Sequence, residues 1–475
     1  GRGLVVPRHR EVLGAFGAAI SLKEKMIREN KSGSIFRGLD RAINDRMVYR
    51  EKICRADPNC HNQCKLKIYN FDSRKSVWGG ECGRYELIVR KDPKKENYFH
   101  LREKIWQDHM SGVYDELSGE GVMEVDGRPT IGMQRAFHSL QNGVLWAHFF
   151  DRLGFRLILT PPTNSHISSS GIEAMTAETC YPVKVSHGHI KELIGKTRYL
   201  YLPSMIDMRT PEDSERGFYC PLIQANQYMV REALDLDRDS ILSPIIHLKY
   251  DTPTLALELS EQLSGRLGKS RSEIRKALEY ALEKQDVFIS AMYEKGKEIM
   301  GVHGPESPLV VVTGRPYNLY DERLNLRLGQ NLAKIGVTAL PMDFIDLTSV
   351  DLSDFPSMYW GLGAQILRAA KFIEGRPEYF GLHITNFSCG ADSFIEHFYK
   401  YIMGIHITNF SCGADSFIEH FYKYIMGNKP YLILELDEHS AVAGMMTRLE
   451  AYKNVIENTM QKLDSELNTG LRAAG

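Results

Sequence analysis

Leu309-Val310-Val311-Val312-Thr313, followed at once by Gly314-Arg315-Pro316, is the stretch that decides the fold. The run carries no charge, is rich in β-branched residues and stops at a glycine–proline turn, so it reads as a short buried strand. Similar runs lie to either side: Phe155–Thr160 (FRLILT) and Tyr199–Leu202 upstream, His383–Phe387 (HITNF) and Tyr431–Leu436 (YLILEL) downstream. Amphipathic helices separate them. The clearest opens on the capping box Ser270-x-x-Glu273, after which Ile274, Ala277, Leu278, Ala281, Leu282, Phe288, Ile289 and Met292 recur on one face. Another is expected from near Asp321 to a C-cap at Gly336. Strands alternating with helices of this length predict an α/β chain with parallel sheets covered on both faces. The 270–300 helix is expected to join two such domains.

Composition narrows the class. At a prior of roughly 150 residues per domain, 475 residues suggest about three domains. The 43% hydrophobic and 25% charged shares are those of an ordinary globular chain rather than a disordered one. A net charge of −1 with no long basic run leaves no nucleic-acid footprint. No apolar stretch approaches the ~20 residues of a membrane helix, so no membrane partner is expected. Gly1-Arg2-Gly3-Leu4 lacks the layout of a secretory signal, and without an initiator Met the chain is expected to be a fragment or a processed product. A cytoplasmic location follows as the expectation. Thiols stay reduced there, and clustered cysteines then point to metal or catalysis.

The cysteines fall into two settings. Cys54, Cys60, Cys64 and Cys82 are spaced C-x5-C-x3-C-x17-C in a polar segment of little periodicity. Four thiolates on a metal would staple such a module. The spacing matches neither the familiar ferredoxin runs nor a C-x2-C zinc knuckle; a 4Fe-4S cluster and zinc both remain open, and His61 is a substitute ligand. The others stand alone before expected helices: Cys180 ahead of Pro182, Cys220 ahead of Pro221, and Cys389 ahead of Gly390-Ala391-Asp392-Ser393. Helix N-termini favour the thiolate, and strand-to-helix loops of a parallel sheet gather at one edge. Three thiolates on a cubane leave one iron open to a substrate atom. The plain alternative is three buried structural cysteines. Cys412 copies Cys389, because residues 383–404 recur unchanged as 406–427. An exact repeat of this kind reads as a recent duplication or an assembly error, and the sequence does not say which copy takes the proper place.

Other motifs are less specific. His187-Gly188-His189 suggests a metal pair, but capping or surface roles fit its place after a helix start. Gly314–Asn318 lacks the G-x-x-x-x-G-K-[ST] pattern of a phosphate-cradling loop, and a structural turn serves as well. Asp437-Glu438-His439-Ser440 offers acid–base groups or a helix cap.

Taken in order, T-C-Y-P-V-K-x-x-H-G-H (179–189), Y-C-P (219–221), V-T-G-R-P-Y-N-x-Y-D (312–321), N-F-S-C-G-A-D-S (386–393) and D-E-H-S-A-V-A-G-M-M-T-R-L-E-A-Y (437–452) resemble the 2-hydroxyacyl-CoA dehydratase superfamily. They are most similar to its fused acyl-CoA dehydratase activase-related members, from about residue 50 onward. The resemblance implies two flavodoxin-like parallel-sheet domains, at 126–300 and 301–475, behind a small Cys-rich cluster-binding module at 21–125. Residues 1–20, with G-A-F-G-A-A, are similar to the end of an activator-type ATPase domain; its phosphate-binding parts are missing, so no ATP site is expected. It further implies an iron–sulfur cluster, 4Fe-4S or double-cubane, on Cys180, Cys220 and Cys389 or Cys412; Cys54, Cys60, Cys64 and Cys82 are then expected to hold a relay cluster. Low-potential electron transfer, or reduction of a small or CoA-linked substrate, would be the function, with a lyase or reductase component as the enzyme class. An activator ATPase domain or other electron donor, a CoA thioester or small-molecule substrate, and a second copy of the chain are the implied partners. A non-catalytic interaction scaffold with a structural zinc site is the competing expectation.

Overall fold

A computed structural model describes residues 13–28, 48–55, 64–71, 74–80, 95–177, 179–211, 216–304, 307–356, 358–386, 421–427 and 429–473, with isolated positions between. The chain divides into two compact units: residues 1–51 with 67–76, and residues 52–66 with 77–475. The first holds the Leu13–Arg28 helix. Three short strands come early, β1 (Tyr49–Ile53), β2 (Lys65–Phe71) and β3 (Arg74–Trp78).

The second unit is mixed α/β and carries the parallel sheets. Its strands are β4 (Tyr114–Glu116), β5 (Glu124–Val125), β6 (Arg128–Met133), β7 (Arg156–Leu159), β8 (Tyr199–Tyr201), β9 (Ser204–Asp207), β10 (Ile241–Leu242), β11 (Ile245–His247), β12 (Leu309–Gly314), β13 (Ala339–Pro341), β14 (Tyr379–Asn386) and β15 (Tyr431–Leu436). One sheet runs β10-β8-β6-β7-β4, every neighbour parallel, with β5 added antiparallel to β6. The other runs β13-β12-β14-β15, again all parallel. Counted from its first long strand, each sheet has the same winding: second strand, first, third, fourth. β12 is buried along its whole length, as a parallel strand covered on both faces must be.

Prolines punctuate one edge. Pro203 separates β8 from β9 and Pro244 separates β10 from β11, since a proline cannot donate to the ladder. Pairing resumes beyond each break: Leu202 N–H donates to Leu242 O at 2.8 Å and Ser204 N–H to Pro244 O at 2.9 Å.

The capping box at Ser270 forms in full and opens a helix over Arg271–Gly301. This helix bridges the two sheet layers. Midway along it Gln285 reaches the Ser139–Arg152 helix; near its C-terminus Gly296 lies so close to Phe344 that a Cβ would sit 1.8 Å from its carbonyl oxygen. The expected helix from Asp321 to Gly336 does not form as a whole. Leu326 and Arg327 take left-handed backbone angles (φ 52° and 55°), so the first half is a turn and only Leu328–Lys334 is helical. Periodicity alone missed the break. Gly336, at φ 76°, does lie just past the helix end.

The duplicated segment is shared between its copies. His383–Asn386 of the first copy completes β14, in register with Thr313 and Gly314 of β12. Residues 421–426 of the second copy are helical, and Tyr422 stacks on His383 with centroids 5.4 Å apart. Residues 387–420, and with them Cys389 and Cys412, lie outside the described residues.

Candidate functional site

Cys180 and Cys220 are both buried, and each is the N-cap of a helix that opens on a proline within its first turn, Tyr181–Leu193 and Pro221–Gln224. The placement ahead of a helix agrees with the sequence. What precedes Cys180 differs. It follows a helix, Ser165–Ala174, not a strand, because Asn164 caps that segment by accepting from Ile167 N–H at 3.0 Å. The helix beyond Cys180 is tied to Asn226–Ala233, the next helix after Pro221–Gln224: Asn226 Nδ2 donates to Ser186 Oγ at 3.0 Å, and Ser186 Oγ to Gln134 Oε1 at 2.6 Å.

The backbone before Cys220 is anchored by a broken helix. Asn142 leaves helical geometry (φ −111°, ψ 17°) inside Ser139–Arg152, and the amide of Gln285 fills the gap. Its Oε1 accepts from Leu145 N–H and its Nε2 donates to Gln141 O, both at 3.0 Å. These are the two groups that would have bonded each other in a regular helix, so the insertion explains the kink. Asn142 is thereby turned toward Tyr219, whose hydroxyl it meets at 3.2 Å; that hydroxyl also lies 3.1 Å from Gln141 Oε1. Tyr219 immediately precedes Cys220. Residues 359–361 clamp the same segment, with Phe218 N–H donating to Tyr359 O and Gly361 N–H to Phe218 O, each at 2.9 Å.

A cavity of about 760 Å³ lies between the two sheet layers, lined among others by Arg135, Thr163, Tyr181, Asp321, Arg323 and Glu438. Its walls combine the Tyr98–Met110 helix with loops that follow β6, β7 and β15 at their C-terminal ends, where open α/β sheets place their ligands. A hydrogen-bonded chain runs behind the wall. Arg135 N–H donates to Thr160 Oγ1 at 2.8 Å, Thr160 Oγ1 lies 2.7 Å from His189 Nδ1, His189 Nε2 lies 2.9 Å from Thr163 Oγ1, and Thr163 donates to Asp321 Oδ2. An ionised carboxylate only accepts, so the Thr163 proton is committed to Asp321. His189 must then donate from Nε2 and accept at Nδ1 from Thr160. The chain has one direction and fixes one neutral tautomer. Burial raises the Asp321 carboxyl above its usual range, against the lowering by Thr163 and by the Leu324 and Arg323 amides.

Ion pairs frame the cavity, two of them with a largely buried cation. Arg135 bonds Glu103, and Lys184, from the Cys180 helix, bonds Glu438 of the D-E-H-S motif. Asp437 itself closes a turn, accepting from His439 N–H at 3.0 Å and Ser440 Oγ at 2.8 Å. The motif thus does both jobs, turn and salt bridge. His187 and His189 are not at the surface: both are buried within the Tyr181–Leu193 helix, His187 Nδ1 lying 2.8 Å from Val183 O. Gly314 ends β12, Arg315 is the N-cap of a short helix that Pro316 opens, and Arg315 bonds the Tyr317 hydroxyl at 2.8 Å. Lys184, Asp321 and His189 stood inside quoted motifs without assigned roles in the cavity; Thr160 and Thr163 carried no sequence signal.

Burial holds His189 down at about 3, helped by the Arg135 charge, and holds His138 down at about 4. The unfolded chain, with histidines near 6.5, therefore binds protons that the folded one refuses. Stability is complete above about 6.5 and is lost as pH falls toward 4, by on the order of 1.4 kcal/mol per pH unit for each histidine. Urea denaturation across that window should show the decline, and His189→Gln should reduce its slope; an unchanged slope in the variant would exclude this assignment.

Earlier in the chain, Cys54 N–H donates to Cys64 O at 2.9 Å, which brings those two residues side by side. Cys60, Cys82 and His61 lie outside the described residues. Among the described residues no group of three or more His, Cys, Asp or Glu side chains is arranged to hold a metal ion, and no helix is long and apolar enough to cross a membrane.

Residues 130–345 match the family model described as CoA enzyme activase uncharacterised domain (DUF2229). No curated protein matches the chain. Among solved structures, the periplasmic metal binding protein from Candidatus Liberibacter asiaticus is similar at 10% identity over 70% of this chain and 99% of that chain, with a TM-score of 0.23. The periplasmic zinc binding protein TroA from Treponema pallidum gives 10% identity, the same coverage and a TM-score of 0.21. Scores this low do not establish a common fold.

Proposed function

We propose that this chain is an iron–sulfur protein of the 2-hydroxyacyl-CoA dehydratase/activase type, taking up low-potential electrons for transfer or for reduction of a small or CoA-linked substrate. The observation that carries this reading is the match of residues 130–345 to a CoA enzyme activase domain, a span that contains both Cys180 and Cys220. The common strand winding of the two sheets supports the finer assignment of two flavodoxin-like halves, one strand short of the full flavodoxin order. Cys180 and Cys220, buried N-caps on linked elements, suit two of the three thiolates of a cubane, with Cys389 or Cys412 as the third. Such a cluster, when bound, supplies one-electron chemistry at low potential. The chain's own part is to exclude water, to fix the cysteine loops through Tyr219 and Ser186, and to hold the Asp321 carboxylate beside the cavity at the end of the Thr160–His189–Thr163 chain. Cys54 and Cys64, with Cys60 and Cys82, would hold the relay cluster or a structural zinc.

Anaerobic purification should yield a brown protein with iron, acid-labile sulfide and a reducible EPR signal. Cys180→Ser and Cys220→Ser should each lower iron by one cluster's worth and remove that cluster's signal, with the far-UV circular dichroism retained. A colourless, zinc-loaded protein whose metal content ignores both substitutions would favour the scaffold reading.

A further inference from the structure

A second pocket, of about 320 Å³, opens on the edge of the first sheet and shares no wall with the main cavity. Its sides are the end of the Asn226–Ala233 helix, the turn at Arg238–Ser240, β10 with Ser243 and Pro244, and the last turns of the Thr252–Leu267 helix. Three arginines, Arg231, Arg238 and Arg266, line it together with Ser243 and Gln262, and no carboxylate does. The acids that meet these arginines lie outside the lining. Glu232 meets Arg231 at 3.3 Å and Asp239 meets Arg266 at 3.4 Å, but their side chains are 77% and 94% exposed, so these contacts neutralise little. Arg238 makes no ion pair among the described residues.

The walls are fixed before any ligand arrives. Arg266 Nη1 donates to Asp239 O and Ile241 O, both at 3.1 Å, which leaves other guanidinium protons for the pocket. Gln262 is held at both ends by Ile245, accepting from its N–H at 2.7 Å and donating to its carbonyl at 2.9 Å. Guarding an open strand edge is a common task for such arginines. Here Arg266 and Gln262 already cover the backbone groups of β10 and β11, and Arg231 and Arg238 are surplus to that task. Converging guanidinium groups repel one another unless an anion sits among them, and their planar forks match phosphate oxygens. At about 320 Å³ the pocket stands at the small end of the roughly 300–1,000 Å³ of small-molecule sites.

We infer that this pocket binds the phosphate or diphosphate group of a small phosphorylated molecule. The inference is independent of the iron–sulfur reading. Isothermal titration of the full chain at low salt with inorganic phosphate, pyrophosphate and ADP tests it, with sulfate as a control. Pyrophosphate or ADP should bind one per chain, tighter than sulfate, and weaken steeply as salt is added. Arg231→Gln/Arg238→Gln, which spares the bonds that hold the walls, should weaken binding on the order of tenfold per arginine. No heat with any phosphate probe, or equal affinity in the double variant, would overturn the assignment. Self-association of that variant in sedimentation, without loss of phosphate binding, would return the arginines to guarding the edge.

Discussion

Gly188→Ala should lower folding stability by about 3 kcal/mol or more, at or beyond the upper end of ordinary overpacking costs. A Cβ at this position would lie 1.9 Å from the carbonyl oxygen of Ile167, and one at Gly171 would lie 2.0 Å from that of Lys184. The Ser165–Ala174 and Tyr181–Leu193 helices therefore cross glycine against backbone, and no side-chain movement relieves an added methyl. The second of these helices begins at Cys180 and carries Lys184 and His189. Forcing it outward displaces one cysteine loop, the interlayer salt bridge and the relay to Asp321 together. Gly265→Ala is the control. It sits in an exposed helical position with nothing within 4 Å, and alanine there should stabilise by roughly 0.5–1 kcal/mol through helix propensity. Urea denaturation of both variants decides the matter. A Gly188→Ala protein within 0.5 kcal/mol of the parent, on the ~0.5 kcal/mol scale of neutral substitutions, would refute the close crossing.

Lys184→Met comes next in size, at about 3 kcal/mol destabilising. Lys184 and Glu438 are 6% and 15% exposed, so removing the ammonium leaves a largely desolvated carboxylate facing the cavity wall. The pair joins the Cys180 helix to the turn after β15, two segments more than 250 residues apart in sequence. Lys184→Met/Glu438→Leu should recover much of the loss, since exchanging a buried pair for apolar side chains is often neutral. The comparison separates the net worth of the pair from the cost of orphaning one member. Equal destabilisation by single and double variants, measured in one denaturation series, would mean that the two side chains are not coupled.

Much of the scaffold could be read from local pattern. The apolar runs at Leu309–Thr313 and Tyr431–Leu436 are strands because β-branched residues fill a strand covered on both faces. The Ser270 capping box forms because its two residues need only each other. Local pattern failed where a distant partner sets the backbone. The expected helix from Asp321 is spent on a turn in which Asp321 accepts from Arg323 and Leu324 N–H groups and from Thr163, 158 residues away in sequence. The Asn142 kink depends on Gln285, 140 residues away from Leu145, and no window around Asn142 contains that information. His187-Gly188-His189 misled for a related reason. Histidines read as surface groups become core groups when the fold supplies the hydrogen bonds that burial requires, from Thr160 and Thr163 to His189 and from the Val183 carbonyl to His187.

By itself the sequence determined the long buried strands, the Ser270 cap and the helix starts at the two prolines behind Cys180 and Cys220. Those outcomes rest on backbone sterics and on hydrogen bonds spanning a few residues. Only the tertiary structure decided which groups share a wall: His189 with Thr163 and Asp321, Lys184 with Glu438, and three arginines around a pocket free of carboxylates. Burial and charge pairing are set by neighbours in space, and a linear chain does not contain those distances until it has folded.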